Sequence, residues 1–224
     1  MIETFGFDLA PFDAASGAAG AMTIAGVVPP TLPDSDPNAA ALDARNRYLF
    51  LPFGFAEGDQ TDPQWSFFLP IGTPVVSLIT GTVCDVPLLY SNDYSIRVVP
   101  DGIECEGPGR APVMFETEHV IDPLVAVGDR VTAGQRIATV SDYQGIWTQI
   151  GFGIVEIGVA YNLGDDGSPW HACPSRFFAP EAREAMLSTL ESLMAAWSAE
   201  LGEPDLYAAA RTPEPGCFSA DVHA

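Results

Sequence analysis

Residues 72–89 read GTPVVSLITGTVCDVPLL, and three further segments follow: YSIRVV at 94–99, MFETEHV at 114–120 and LVAVGDRVTAGQRIATVSDY at 124–143. Each is rich in β-branched or aromatic residues, and turn signals lie between them. Short runs of this composition predict β-strands. Val127-Gly128-Asp129 and Ala133-Gly134-Gln135 are two turn signals that flank a short strand predicted at Arg130-Val131-Thr132. The stretch Gly72–Tyr143 therefore predicts a small, closed β-domain.

Further strands are predicted on both sides of the turn-rich stretch. The predicted strands are Arg47–Phe53, Pro74–Ile79, Gly81–Asp85, Tyr94–Val99, Val113–Val120, Arg136–Ser141 and Gly153–Val159. Regular alternation along Val113–Val120 places Glu116 and Glu118 on one face and His119 on the other. Asp165-Asp166-Gly167 predicts a turn.

The ends of the chain predict an arm and a helix. Residues 1–47 are rich in Ala, Gly, Pro and Asp, which predicts an irregular arm packed on a β-domain at 48–178. Residues 179–224 predict a helix and a tail, with the helix beginning near Pro180 and ending at Gly202. Its apolar residues recur at helical spacing on one face. The predicted fold class is mainly β, with an irregular N-terminal arm and one C-terminal α-helix.

Composition bounds the class of protein. A chain of 224 residues with 47% hydrophobic and 10% aromatic residues can bury one sizeable core and is not disordered. Its apolar runs are all shorter than the roughly 18 residues that a membrane-spanning helix needs, so no membrane span is predicted.

The charge balance excludes some partners. Nine arginines and no lysine face thirty acidic residues, for a formal net charge of −21. A field of this sign repels nucleic acid and anionic membranes, so neither is predicted as a partner. A solvated acidic surface explains the charge, and a cation-collecting role is the alternative.

Four cysteines are widely spaced, and no C-x-x-C motif is present. Zinc-ribbon and thioredoxin-like sites are therefore excluded. The even number predicts two disulfides in an exported protein, paired as Cys84–Cys105 and Cys173–Cys217. Spacing alone does not determine connectivity, and four free buried thiols are the alternative.

Several motifs together resemble one peptidase family. Gly72-Thr-Pro-Val75 and Thr80-Gly81-Thr-Val83 resemble the opening of the lysostaphin-type (LytM-like) zinc endopeptidase domain, which has the duplicated hybrid motif fold. Residues 116–120, 127–137 and 154–157 resemble its later motifs, and the resemblance covers residues 62–159. It implies a duplicated-hybrid-motif-like β-sandwich or barrel and an extracytoplasmic location. Biotinyl and lipoyl carriers share the 127–137 motif, but a chain without lysine cannot be such a carrier.

The resemblance also implies where zinc ligands should lie. The family uses a His and an Asp four residues apart and the second His of an H-x-H motif, which fall on Asp62, Ser66 and Ile154. Only one of these three can act as an oxygen ligand of the family type. His119 matches an additional active-site His that stabilises the transition state without holding the metal. The resemblance therefore predicts the scaffold without its zinc centre, and no cofactor.

Three functions stay open. The first is an exported non-peptidase relative that binds peptidoglycan, polysaccharide or another polymer in a retained groove. Its candidate binding residues are Asp62, Trp65, Tyr94 and Arg97, with Trp65 either a core residue or a sugar-stacking platform. A structural or partner-binding module is the third function, and the second is described in the next paragraph. The sequence does not predict an oligomeric state.

The second function is an extracellular hydrolase or lyase with a site rebuilt from Glu116, His119 and Glu156, where zinc would be present only if these residues hold it. Because a regular strand separates Glu116 from His119, such a site requires a bulge or twist. Asp93, Tyr94 and Arg97 are weaker candidates for a lyase or glycosidase site.

Overall fold

The computed structural model describes residues 1–57, 60–143, 145–163, 168–211 and 214–223. The turn predicted at 165–167 lies outside the described residues. Two α-helices are present among them, α1 (Ala39–Asn46) and α2 (Arg183–Leu201). Short 3-10 helices cover Ile146–Ile150, Pro174–Phe177 and Ala209–Arg211. No helix in the described part of the chain is long and apolar enough to cross a membrane.

The strands are β1 (Ala18–Ala19), β2 (Met22–Thr23), β3 (Phe50–Leu51), β4 (Ala56–Glu57), β5 (Gln60–Thr61), β6 (Trp65–Pro70), β7 (Pro74–Val76), β8 (Gly81–Asp85), β9 (Tyr94–Pro100), β10 (Val113–Ile121), β11 (Arg130–Val131), β12 (Arg136–Val140), β13 (Phe152–Leu163), β14 (Pro169–Ala172) and β15 (Asp221–His223). Each predicted strand is present, although only Phe50–Leu51 of the strand predicted at Arg47–Phe53 is observed as a strand. The observed strand β7 is shorter than the strand predicted at Pro74–Ile79, and β13 is longer than the strand predicted at Gly153–Val159. The predicted fold class, mainly β with a C-terminal helix, is confirmed.

One antiparallel sheet of eleven strands organises the described residues. Its main path is β11-β8-β9-β10-β13-β14-β15; β12 pairs with β10 and β7, and β6 pairs with β13 and β3. The strands β10 and β13 lie at the centre and exchange partners along their length. Residues of both strands therefore come next to residues from distant parts of the chain.

The central sheet has two chemically different faces. One face carries apolar side chains such as Ile96, Phe115 and Ile157, which belong to the main core. The opposite face carries Arg97, Glu116 and other polar residues, with a small apolar cluster at its end. The alternation along each strand thus separates the core from the candidate site.

Helix α2 packs on the main core. Its buried residues are Met186, Thr189, Leu190, Leu193, Met194, Trp197 and Ser198, which include most of the predicted apolar stripe. The helix ends where Gly202 adopts a φ of 69°, a left-handed conformation that glycine adopts without strain. It begins at Arg183, three residues after Pro180.

The N-terminal arm is more regular than predicted. It contains helix α1 and the hairpin of β1 and β2, so the expectation of a single helix is corrected to two. The sequence does not indicate α1 because the prolines before it predict irregular chain and the helix has only eight residues. Ile2, Phe5 and Phe7 lie in the main core, while the boundaries at 47/48 and 178/179 stay a prediction.

Both predicted disulfides are present. Cys84 pairs with Cys105 and Cys173 with Cys217, with Cα atoms 5.6 and 6.0 Å apart. The alternative of four free thiols is therefore wrong. The second disulfide ties the tail to the segment that follows β14.

Candidate functional site

The register of three central strands builds a polar face. Glu116 of β10 lies opposite Arg97 of β9 and Gly158 of β13. One row further along, Glu118 of β10 lies opposite Glu156 of β13. Glu156 in turn lies opposite Ser66 of β6. Residues that the sequence separates by up to 92 positions thus form two adjacent rows.

A β-bulge brings His119 to this polar face. The pairing of β10 with β9 shifts between Thr117 and Val120, and His119 has a φ of 59°. A non-glycine residue in this conformation costs about 1–2 kcal/mol, so the surrounding contacts must hold it. As a result, His119 Nε2 lies 3.4 Å from Glu156 Oε2. The bulge that a rebuilt site requires is present.

Carboxylates hold both ring nitrogens of His119, which is only 3% exposed. Nδ1 lies 3.2 Å from each carboxylate oxygen of Asp93, and Nε2 faces Glu156. Ser141 Oγ donates a hydrogen bond of 2.6 Å to Asp93, and Ser66 Oγ donates one of 2.9 Å to Glu156. We call Asp93, His119 and Glu156 the His119 cluster.

The electrostatics of the His119 cluster favour the charged forms of all three members. Burial lowers the pKa of His119, but hydrogen bonds and charge from Asp93 and Glu156 outweigh this effect and raise it to about 10. Burial likewise raises the pKa of Asp93 and of Glu156, but each pKa is lowered overall because His119 and serine hydroxyls stabilise the carboxylate. The contacts of His119 with Asp93 and Glu156 thus favour its imidazolium form.

Glu116 belongs to a separate group. Its Oε1 lies 3.0 Å from Arg97 Nε, and its Oε2 lies 3.2 Å from His171 Nε2. Gln64 Nε2 donates a hydrogen bond of 3.5 Å to the same Oε2. A Cβ on Gly158 would lie 3.0 Å from Glu116 Oε2, so a glycine there leaves room for the carboxylate. Glu116 therefore interacts with Arg97 and His171, and not with His119 as in the predicted triad.

A different triad could hold a cation. Ligand atoms of Glu118, His119 and Glu156 lie within 4.8 Å of one another. One imidazole nitrogen and two carboxylates suit a divalent metal, provided that His119 loses its proton. Burial raises the pKa of Glu118, as do the nearby carboxylates of Glu116 and Glu156.

The three residues that the resemblance places at zinc-ligand positions, Asp62, Ser66 and Ile154, have different surroundings. Ser66 uses its hydroxyl to bind Glu156 and also lies 3.4 Å from Asp62 Oδ2. Ile154 is an apolar residue of the main core, and Glu156 is the β13 residue opposite Ser66. These three positions thus hold one carboxylate, one hydroxyl that binds Glu156 and one hydrocarbon side chain.

Two tyrosines cover the His119 cluster. The ring centroid of Tyr143 lies 4.3 Å from that of His119, and the hydroxyls of Tyr90 and Tyr143 lie 2.9 Å apart. Tyr90 is 87% exposed. Burial and the hydrogen bond with Tyr90 raise the pKa of Tyr143 well above its ordinary value, so its hydroxyl stays neutral. We call this pair the tyrosine cover.

The four predicted binding residues do not form one surface. Trp65 is buried, and its indole donates a 2.8 Å hydrogen bond to the Gly216 carbonyl, so it is a core residue and not a sugar platform. Tyr94 packs against the main core, and Arg97 is held by acidic side chains. Asp62 accepts a 3.0 Å hydrogen bond from the Gln64 backbone and lies beside the cluster.

Sequence reasoning missed several parts of the site. It named Asp93 only as a weak candidate, and it did not name the tyrosine cover, Ser141 or the pairing of His171 with Glu116. These residues lie in loops or on strands whose neighbours only the sheet register determines. The Ser91-Asn92-Asp93 turn before β9 was the available signal for Asp93.

Comparisons with known proteins give partial similarities. No protein-family model matches the sequence, and no curated protein does. Among solved structures, the chain is similar to the antimicrobial peptidase lysostaphin from Staphylococcus simulans, with 18% identity over 61% of this chain and 49% of that chain and a TM-score of 0.44. It is also similar to LytU, with 20% identity over 58% of this chain and 81% of that chain and a TM-score of 0.42.

A third similar structure is a catalytic-domain mutant of the prophage-encoded M23 protein EnpA from Enterococcus faecalis, with 16% identity over 54% of this chain and 86% of that chain and a TM-score of 0.38. The chain spans about half the length of the lysostaphin structures. Lysostaphin is among these structures, and the family that the sequence motifs resemble is named after it.

Proposed function

We propose that this chain is a non-catalytic, exported domain that binds a polymer, such as peptidoglycan or another polysaccharide, over the tyrosine cover. The observation that carries the proposal is that Asp93 and Glu156 hold both ring nitrogens of His119. Both ring nitrogens are engaged, so His119 would have to break one of these contacts before it could take a proton from a nucleophile or bind a metal. The imidazole and the two carboxylates are thus engaged with one another and support a fixed surface.

The surface above the cluster suits a chain of sugars. Tyr90 presents its ring to solvent, and aromatic rings stack on the apolar faces of sugars while their hydroxyls bind polar groups. The net charge of −21 disfavours polyanions. Two disulfides support an oxidising, extracytoplasmic location.

Sedimentation with insoluble peptidoglycan tests the proposal. Wild type should bind and release no soluble fragments, and Tyr90→Ala should bind about tenfold more weakly, equivalent to about 1.4 kcal/mol. Leu124→Ala, at another exposed apolar residue, is the matched control and should bind like wild type. Equal binding by Tyr90→Ala and wild type, or release of fragments that stops in His119→Gln, would overturn the proposal.

The second candidate function is a hydrolase or lyase, and the Glu118–His119–Glu156 triad favours it. Metal analysis of protein purified without a His tag distinguishes the two functions. Bound metal close to one equivalent that disappears in both His119→Gln and Glu118→Gln would support the enzyme. Metal far below one equivalent, with no fragment release, would support polymer binding.

A further inference from the structure

A cavity of about 280 Å³ lies beside the His119 cluster, between the N-terminal arm and the connection from β12 to β13. Its lining is mainly apolar and aromatic. The residues are Leu32, Leu42, Arg45, Asn46, Phe68, Tyr143, Gly145, Ile146, Trp147, Phe152, Gly153 and Ile154. Neither the proposed polymer-binding surface nor the cluster accounts for this cavity.

Trp147 in the cavity wall carries an unsatisfied donor. The residue is 3% exposed, and its buried indole N–H has no acceptor among the described residues. By contrast, the buried indoles of Trp65 and Trp197 donate to backbone carbonyls at 2.8 and 2.7 Å. A buried donor without an acceptor costs about 1–3 kcal/mol. A ligand with a hydrogen-bond acceptor would therefore satisfy the Trp147 N–H.

The other walls define the rest of the ligand. The Trp147 ring centroid lies 4.5 Å from that of Phe68 and 5.9 Å from that of Phe152, which gives an aromatic wall. The one cationic lining residue, Arg45, has Nη2 3.7 Å from Glu156 Oε1, so its charge is already shared with a carboxylate. The volume is at the small end for ligand pockets, which suits a molecule with a single ring.

We propose that this cavity binds a small, uncharged aromatic molecule that carries one hydrogen-bond acceptor, and that the Trp147 indole donates to this acceptor. This proposal does not rest on polymer binding, since the Trp147 donor and the Phe68 and Phe152 rings lie outside the tyrosine cover. Tyr143 is the one residue common to both.

Two probes of similar shape test the hydrogen bond. Acetophenone carries a carbonyl acceptor, and ethylbenzene does not. In ¹⁵N-labelled protein, acetophenone should shift one indole N–H resonance downfield, and that resonance should be absent in Trp147→Phe. Wild type should bind acetophenone about 3- to 10-fold more tightly than ethylbenzene, and Trp147→Phe should bind both equally, as expected for one net hydrogen bond.

A rim substitution tests the location. Leu42 lies at the cavity rim and is partly exposed, so Leu42→Phe narrows the cavity without disturbing the core. It should weaken acetophenone binding at least fivefold, whereas Leu124→Phe, at an exposed residue outside the cavity, should not. Equal affinity of wild type for the two probes, no indole shift at millimolar acetophenone, or unchanged binding in Leu42→Phe would overturn the proposal. If Trp147→Phe fails to fold, the affinities of wild type for the two probes and the acetophenone affinity of Leu42→Phe still test the proposal.

Discussion

At the scale of single residues, the site depends on one strained backbone position. His119 adopts a conformation that glycine or asparagine would adopt more easily, and its ring lies between Asp93 and Glu156. The ion pairs offset the backbone strain because they form away from water, where charges attract more strongly. The carboxylate contacts of His119 therefore depend on the bulge. Without the bulge, the alternation of side chains along β10 would point the imidazole toward the apolar core.

The pH dependence of the free energy of unfolding tests whether protonated His119 stabilises the fold. The pKa of His119 is raised from an ordinary value near 6.5 to about 10, so folding favours its protonated form. The resulting stabilisation is complete below about pH 6.5 and is lost as the pH rises toward 10, at up to about 1.4 kcal/mol per pH unit. Asp93 and Glu156 have lowered pKa values, so their share is lost on the acid side instead.

We therefore expect His119→Gln to lower the free energy of unfolding most near pH 6, with a difference from wild type that shrinks steadily toward pH 10. Urea unfolding at pH 6, 8 and 9.5 measures this difference. His223→Gln, at an exposed histidine, should show a small difference without the same trend. A His119→Gln difference that grows or stays constant above pH 7 would show that the imidazolium does not stabilise the fold.

At the scale of elements, the strands were predictable and their neighbours were not. The segments β8, β9, β10 and β12 were predicted with ends within one residue of those observed, because β-branched runs between turn signals report local conformation. The bulge in β10 has no glycine to mark it, so alternation placed His119 on the wrong face. Strands β14 and β15 are too short for their sequences to show alternation, and they are stabilised by pairing, β14 with β13 and β15 with β14.

The candidate site was predictable only in part for the same reason. His119 and Glu156 were predicted and do meet, whereas Glu118 takes the place predicted for Glu116. The difference follows from register: Glu118, and not Glu116, lies opposite Glu156. A sequence gives the face on which a strand residue lies, but the pairing of distant strands decides which residue it faces.

Gly158 in β13 provides a prediction for this register. A Cβ at this position would lie 2.9 Å from Gln64 Cγ and 3.0 Å from Glu116 Oε2. Gly158→Ala should therefore displace the Glu116 carboxylate from His171 and lower the free energy of unfolding by about 1–3 kcal/mol. The control is Gly145→Ala, whose new Cβ would make only ordinary contacts from 3.6 Å. Equal stability of the two variants in urea unfolding would mean that Glu116 does not need the space beside Gly158.

At the scale of the whole molecule, one apolar core joins the arm, the sheet and helix α2. Phe7 of the arm, Phe67 of β6 and Leu193 of α2 all belong to it. The acidic residues, by contrast, are mostly spread over the surface, and a few lie against cationic partners such as the partly exposed Arg97 and the buried His119. The molecule therefore combines a continuous core, which favours compaction, with a surface charge that opposes it.

Salt should therefore stabilise the folded protein. The formal net charge is −21, and repulsion within the compact state exceeds that in the expanded unfolded chain. Raising the ionic strength from 0.01 to 0.15 M shortens the Debye length from about 30 to about 8 Å, which screens the exposed charges more than the buried pairs. A reduction of the repulsion by about 1–2 kcal/mol corresponds to a rise in Tm of about 2–8 °C for a chain of this size.

Calorimetry in NaCl and in KCl measures the shift in Tm, which should be the same for both salts because screening does not depend on the identity of the cation. A Tm that falls with salt would show that surface ion pairs outweigh the repulsion, and a rise with only one cation would indicate specific binding instead of screening.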